Sequence, residues 1–305
     1  MLGLFSSKPK GFQVGVDFTA TGLAAVEVDT GKKHFGSVRR HAFIPAVGAQ
    51  QQSQALKQWV EQNGLKNVPC VSLIAKHDVQ VFQLDKPAVE ASELIQAVSW
   101  KIKDLISYDV STAVVDVYDM PQSSKSPVNH INAVVANEKV VGSYVNTIRQ
   151  SGLDLQAIDI HDLVARNYYL LEDSEGTSSA LLQFSDNQGL ISIYHDNDLH
   201  VSRDFKIGLL DIEGAEDAEA LYDNLLLELQ RSMDYFEATY GLAAVQRMVM
   251  FPQTPAVEKM AKYLQNYLPY ELDFAHVAFQ SSEAGSGLDT HCFAAYCAAL
   301  RGIRQ

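Results

Sequence analysis

The chain has 305 residues, is 47% hydrophobic and 20% charged, and carries a formal net charge of −13. That length suffices for two domains with ordinary cores. The acidic balance excludes a nucleic-acid surface, which needs clustered Lys and Arg, and no apolar run reaches the roughly 18–20 residues of a membrane helix.

The first ten residues, MetLeuGlyLeuPheSerSerLysProLys, are too short and too weakly apolar for a secretory signal. Leu2 stands where a myristoyl signal needs Gly. A cytoplasmic location is expected. Lys8, Lys10, Arg39 and Arg40 form a basic group beside LeuGlyLeuPhe. It reads either as a solvated leader or as a contact for an anionic membrane surface.

PheGlnValGlyValAspPhe (12–18), GlyLeuAlaAlaValGluValAsp (22–29) and the run 34–43 read as three strands. A helix follows over 54–64, with Leu56, Trp59 and Val60 on one face and Gly64 just past its end. Residues 68–74 read as a buried strand and 78–84 as an alternating one. A helix is expected over 90–107, where Leu94, Ile95, Val98, Ile102, Leu105 and Ile106 recur at helical spacing. Strands 112–118 and 130–136 flank a loop, 121–129, rich in Pro and Ser. Helix 138–151, strand 154–159 and helix 161–172 follow, and the polar, acidic stretch 172–179 is the expected domain boundary.

The opening order then returns. Residues 179–184, 188–195 and 198–205 read as three strands, 216–240 as a long helix and 246–251 as a strand. Pro255 opens a helix over 255–267, and the loop 283–287 precedes a last, Ala-rich helix over 288–302. Each half therefore reads strand, strand, strand, helix, strand. This is a duplicated α/β pattern in which residues 12–43 and 179–206 are equivalent. Residues 76–137 have no counterpart in the second half and read as an inserted subdomain.

Cys70 lies in an apolar run, while Cys292 and Cys297 point to different faces of a helix. Buried free thiols and no metal site are expected. His195-Asp196-Asn197-Asp198-Leu199-His200 reads as a hairpin turn rather than a metal loop. The Tyr and Phe residues in 263–279 read as core. No Walker A motif, nucleophile elbow or His-Glu-x-x-His motif is present.

The order of elements, the start LeuPheSerSerLysProLysGlyPheGlnValGlyValAspPhe, the second hairpin SerAspAsnGlnGlyLeuIleSerIleTyrHis with ValSerArgAspPheLysIleGly, the stretch LeuGlnArgSerMetAspTyrPheGlu (229–237) and the ending AlaAlaTyrCysAlaAlaLeuArgGly together resemble one family. It is the PilM family, actin-like proteins of type IV pilus machines. The resemblance is closer to its MshI-type members, of mannose-sensitive haemagglutinin (MSHA) pilus biogenesis. It implies a duplicated actin-like, ribonuclease H-like α/β fold. The first domain spans 1–175, with the insert 76–137 as its partner-binding subdomain and 288–305 returning to it. The second spans 176–287.

The resemblance also implies a nucleotide site, and here the chain departs from it. An actin-like site needs Asp-x-Gly in each phosphate hairpin, the Asp for Mg²⁺ and the Gly for close backbone approach. The first hairpin has Asp17-Phe18-Thr19, with Gly22 left to serve the turn, and the second has Gln183-Phe184-Ser185, with Asp186 as a substitute carboxylate. Met250-Phe251-Pro252-Gln253 fills the place of the adenosine-binding Gly-Gly pair. ATP is expected to bind weakly or not at all. If it binds, Asp17, Thr19, Thr21, Gln183, Ser185 and Asp186 are expected at the phosphates. Asp17 otherwise reads as a turn former. Asp159 reads as a residue orienting the attacking water, or, with Asp162, as a helix N-cap.

The implied role is a cytoplasmic scaffold of an MSHA-type pilus platform. It would capture the cytoplasmic tail of a PilN-like single-pass inner-membrane protein, the peptide adding to a strand edge of the insert. Leu94, Val98, Trp100 and Leu105 are the candidate partner contacts. Trp100 lies off the main stripe and reads either as an exposed anchor or as core of the insert. The rivals are a working ATPase of the same fold and a cytoplasmic component of a type II secretion system.

Overall fold

The computed structural model describes residues 11–31, 33–123, 128–169, 176–280 and 287–302. The chain divides into two units. The first comprises Met1–Met120, Val128–Tyr168 and Val277–Gln305; the second comprises Pro121–Pro127 and Tyr169–His276.

In the first unit, β1 (Phe12–Phe18), β2 (Gly22–Asp29) and β3 (Val38–Pro45) form an antiparallel meander. After α1 (Ala49–Asn63), β4 (Pro69–Leu73) pairs with β1 in parallel. The chain then leaves the sheet through β5 (Val79–Asp85), α2 (Leu94–Ile102), β6 (Ala113–Asp119) and β7 (His130–Asn137). It returns through α3 (Glu138–Ser151) to β8 (Asp154–Asp159). The main sheet order is β3-β2-β1-β4-β8, and the insert is a separate antiparallel sheet, β5-β7-β6. Two short helices, α4 (His161–Val164) and α5 (Arg166–Tyr169), follow β8.

The second unit repeats the plan. It contains β9 (Ser178–Phe184), β10 (Gly189–His195), β11 (Asp198–Phe205), α6 (Leu209–Gly214), α7 (Ala218–Tyr240), β12 (Arg247–Phe251), α8 (Pro255–Leu264) and β13 (Glu271–Phe274). Its sheet order, β11-β10-β9-β12-β13, matches the first position by position, including the parallel pairing of the fourth strand with the first. The duplicated segments thus lie in separate sheets of identical topology. Helix α9 (Phe293–Ala299) ends the described chain and packs on β1, β2 and β4 of the first unit.

The cores follow the apolar periodicities. Leu56, Trp59 and Val60 of α1 join Val14, Val16, Leu23 and Ala25 under the first sheet. Leu225, Leu229, Met233 and Phe236 of α7 lie with Ile191, Ile193 and Met250 under the second. Helix ends obey local chemistry. Asn137, Asp217 and Thr254 accept N-terminal amide hydrogen bonds, and Gly64, Gly152 and Gly241 take left-handed conformations past the C-termini. Cys70, Cys292 and Cys297 are buried and free, and burial pushes their thiols up, Cys292 to about 12. Among the described residues no helix is long and apolar enough to cross a membrane.

Several boundaries differ from the sequence expectation. Helix α1 begins at Ala49 rather than 54, because the polar GlnGlnGln run is helical without showing an apolar stripe. Helix 90–107 is helical only over 94–102; Ile106 still turns into the core, which is why the periodicity extended past the helix. Helix 161–172 is two short helices as far as Tyr169, and residues 170–175 lie outside the described part. The last helix starts at Phe293, after turns in which Asp289 binds the His291 amide. Strand β13 was not expected. Residues 277–280 belong to the first unit rather than the second, because Phe279 bridges Val38 along the edge of β3. Residues 121–127 cluster with the second unit, where Ser123 donates to the Thr239 carbonyl.

Candidate functional site

The β1–β2 turn is closed from within. Thr19 donates both its N–H (2.9 Å) and its hydroxyl (3.0 Å) to the Gly22 carbonyl, and the Gly22 N–H donates back to Thr19 Oγ1. Gln52 on α1 reaches in and donates to the carbonyls of Thr19 (2.7 Å) and Gly22 (3.1 Å). Thr21 is exposed, and its carbonyl accepts from the Ala46 N–H.

The second hairpin repeats the device. Ser185 donates its N–H (2.9 Å) and hydroxyl (3.0 Å) to the Gln188 carbonyl. Here α6 docks on the turn, with Leu209 and Leu210 donating to the carbonyls of Ser185 and Asp186. The approach is close enough that a Cβ at Gly208 would overlap the Asp186 carbonyl and the Gln188 amide. Gln183 is half-buried on β9, paired between Leu190 and Phe251. Phe251 and Pro252 are buried at the end of β12.

Asp17, 4% exposed, does not cap its turn. Its carboxylate accepts from His161 Nε2 at 3.1 and 3.2 Å. A buried carboxylate needs a hydrogen-bond partner, and His161 supplies one from the first residue of α4. Burial alone pushes the imidazole down, but the charge of Asp17 and its hydrogen bond outweigh it, and the net shift is upward. His161 Nδ1 is buried without a hydrogen-bond partner among the described residues.

Asp159, at the end of β8, is likewise engaged. Oδ1 accepts the Ile160 N–H at 2.9 Å, and Oδ2 takes the Arg301 guanidinium at 2.8 Å. Neither Asp159 nor Asp162 is the N-cap of α4; Ile160 holds that position, with no side-chain cap. Arg301 is held by its own surroundings. Gln13 donates to the carbonyls of Ala299 and Arg301, and Asn167 donates to that of Cys297.

On the insert, the four candidate contacts separate. Trp100 is 66% exposed and Leu105 52% exposed, joined by Ile95. Lys103 lies over the Trp100 ring at 5.2 Å. Val98 is fully buried in the insert's core with Ile102, Ile131 and Val135 and presents no surface, while Leu94 packs against that core and is only partly buried. The strand order leaves β5 and β6 as edges.

Two further readings are settled by contacts. Arg39 and Arg40 both bind Glu27, which is buried, and Arg39 lies 3.9 Å over the Phe12 ring. These arginines neutralise an internal carboxylate while staying part-exposed, and Lys8 and Lys10 of the same basic group lie outside the described residues. Asp196 and Asn197 adopt positive φ, as a two-residue hairpin turn requires. His195 hydrogen-bonds Ser178, and His200 donates to the Asp198 carbonyl.

Gln52, His161 and Arg301 were missed by sequence reading. Each acts on a strand end or turn from a segment distant in sequence, and no local pattern marks it.

No protein-family model matches the chain, and no curated protein matches it in sequence. Solved structures do match. The chain is similar to the "PilM-PilN type IV pilus biogenesis complex" with a TM-score of 0.69 and 16% identity, over 96% of this chain and 99% of that one. It is similar to a protein of actin-like ATPase fold and unknown function from Bacteroides thetaiotaomicron with a TM-score of 0.50 and 8% identity, over 87% and 91%. The cytoplasmic domain of EpsL, an inner-membrane component of the Vibrio cholerae type II secretion system, matches at 0.49 with 13% identity, over 88% of each chain. The fold is therefore actin-like, duplicated, and carries an insert in its first half.

Proposed function

We propose that this protein is a PilM-like scaffold of a type IV pilus assembly platform, of the MSHA type, held at the inner face of the inner membrane by its partner. The insert binds the cytoplasmic tail of a PilN-like single-pass membrane protein. The observation that carries this reading is the exposed apolar group of Ile95, Trp100 and Leu105 beside a sheet with open edges. A soluble domain gains nothing from leaving a tryptophan two-thirds exposed, whereas an extended peptide adding to an edge strand would cover it. The full-length likeness to a PilM-PilN structure and the residues at 229–237 support the choice of machine.

The same reading takes the nucleotide site as degenerate. The hairpin hydrogen-bonding groups of Thr19 and Ser185 are spent inside their turns, and Asp17 and Asp159 are engaged by His161 and Arg301. Phe251 and Pro252 fill the end of β12, where a purine needs bare backbone.

Capture of this protein by the partner's immobilised tail tests the role. Trp100→Ala is expected to weaken capture by about 2 kcal/mol, the size of an interfacial aromatic anchor, while Lys262→Ala on an exposed face leaves it intact. Unchanged capture by folded Trp100→Ala protein removes Trp100 from the site. Unchanged capture after deletion of the insert ends the reading.

A further inference from the structure

We propose that the first unit fills with its own side chains the places where a divalent cation would otherwise sit: His161 on Asp17 and Arg301 on Asp159, two internal pairs that exclude Mg²⁺ from the ends of β1 and β8. The inference concerns the metal alone and does not depend on the pilus reading.

The geometry is specific. Asp17 and Asp159 end strands that flank β4 on either side in the sheet. A hydrated Mg²⁺ needs carboxylate oxygens free to take its waters in near-octahedral geometry. Both oxygens of Asp17 instead face one imidazole nitrogen, at 3.1 and 3.2 Å. One oxygen of Asp159 holds a guanidinium at 2.8 Å and the other a backbone N–H at 2.9 Å. A cation at either carboxylate would displace the hydrogen bonds already made, and at Asp159 it would also meet the fixed charge of Arg301.

The two partner side chains are also anchored by the fold. His161 opens α4 directly after β8, and its ring is four-fifths buried. Arg301 follows α9, whose last carbonyls are bound by Gln13 and Asn167. That helix lies directly on β1, where Gly15 lets the Ala295 carbonyl approach a place any Cβ would overlap. Removing the partner side chain, rather than moving it, is the way to expose either carboxylate.

The test is paramagnetic broadening of backbone amide signals by Mn²⁺ in the full chain. With a net charge of −13, diffuse broadening at surface carboxylates is expected, so the readout is selective loss at Gly15–Gly22 and at Ala157–His161. The native chain is expected to show none there at millimolar Mn²⁺. His161→Asn is expected to broaden Gly15–Gly22 selectively, and His161→Lys, which places a cation there, to stay silent. Should His161→Asn fail to fold, Arg301→Gln, at a part-exposed position, is read at Ala157–His161 in the same way. Selective broadening of the native chain overturns the proposal. So does a folded His161→Asn or Arg301→Gln protein as silent as the native one.

Discussion

Gly15 shows what the last helix requires of the first strand. The Ala295 carbonyl and the Ala299 amide lie where its side chain would stand. Gly15→Ala must push backbone against backbone, and is expected to cost about 3 kcal/mol, at the upper end of overpacking, seen as a lower urea midpoint with unchanged slope. Two histidines give opposite pH dependences. His200 is buried against Phe236 and Tyr240, and burial holds its imidazole below the ordinary value. The unfolded chain then binds the extra proton, so its contribution is present above about pH 6.5 and is lost as pH falls below it. His161 is shifted up by Asp17 despite burial, so its contribution is full below about pH 6.5 and is lost as pH rises through the folded value. Unfolding midpoints against pH check both: His200→Gln should flatten the acid side and His161→Gln the alkaline side. A His200→Gln protein that still loses stability equally on the acid side contradicts the first assignment. Asp17 was legible in the sequence because a carboxylate ending an apolar strand is conspicuous. Its partner was not, since His161 lies 144 positions away and is brought over only by the sheet order.

At the scale of elements, end chemistry decides where helices stop. Asp217 accepts from the Ala220 N–H at the start of α7, and Gly241 takes φ 64° at its end. Asp217→Ala is expected to cost about 1 kcal/mol, and Gly241→Ala about 1–2 kcal/mol for a left-handed residue with a Cβ, each measured by chemical denaturation. A loss below a few tenths for both would mean that the ends of α7 are set by packing alone. The repeated strands, α3, α7 and the insert were legible because each carries several turns of one period between clear breakers. The start of α1 was not, because helical glutamines have no stripe. Strand β13 was not, because four residues, GluLeuAspPhe, hold too little alternation to stand out. Within the candidate surface, helical spacing placed Val98 correctly on the stripe, but the stripe is the insert's own core. Trp100, off the stripe, is exposed, and so are Ile95 and Leu105, which the spacing had placed on it.

At the scale of the whole molecule, the duplication has kept its topology while its two hairpins have turned their hydrogen-bonding groups inward. Thr19–Gly22 and Ser185–Gln188 make the same pair of bonds at the same spacing. The two halves thus share the same local closure of the turn, and the insert is a sheet that the second half lacks. The central claim is a tail-binding scaffold that works without nucleotide. Its most direct test is calorimetric titration of the PilN-like partner's cytoplasmic tail into the full chain, once in EDTA and once with Mg-ATP. Saturable binding is expected with the same Kd to within about twofold, or ~0.4 kcal/mol, in both. Absence of binding to the folded chain, or a Kd moved about tenfold, ~1.4 kcal/mol, by Mg-ATP, would contradict that claim.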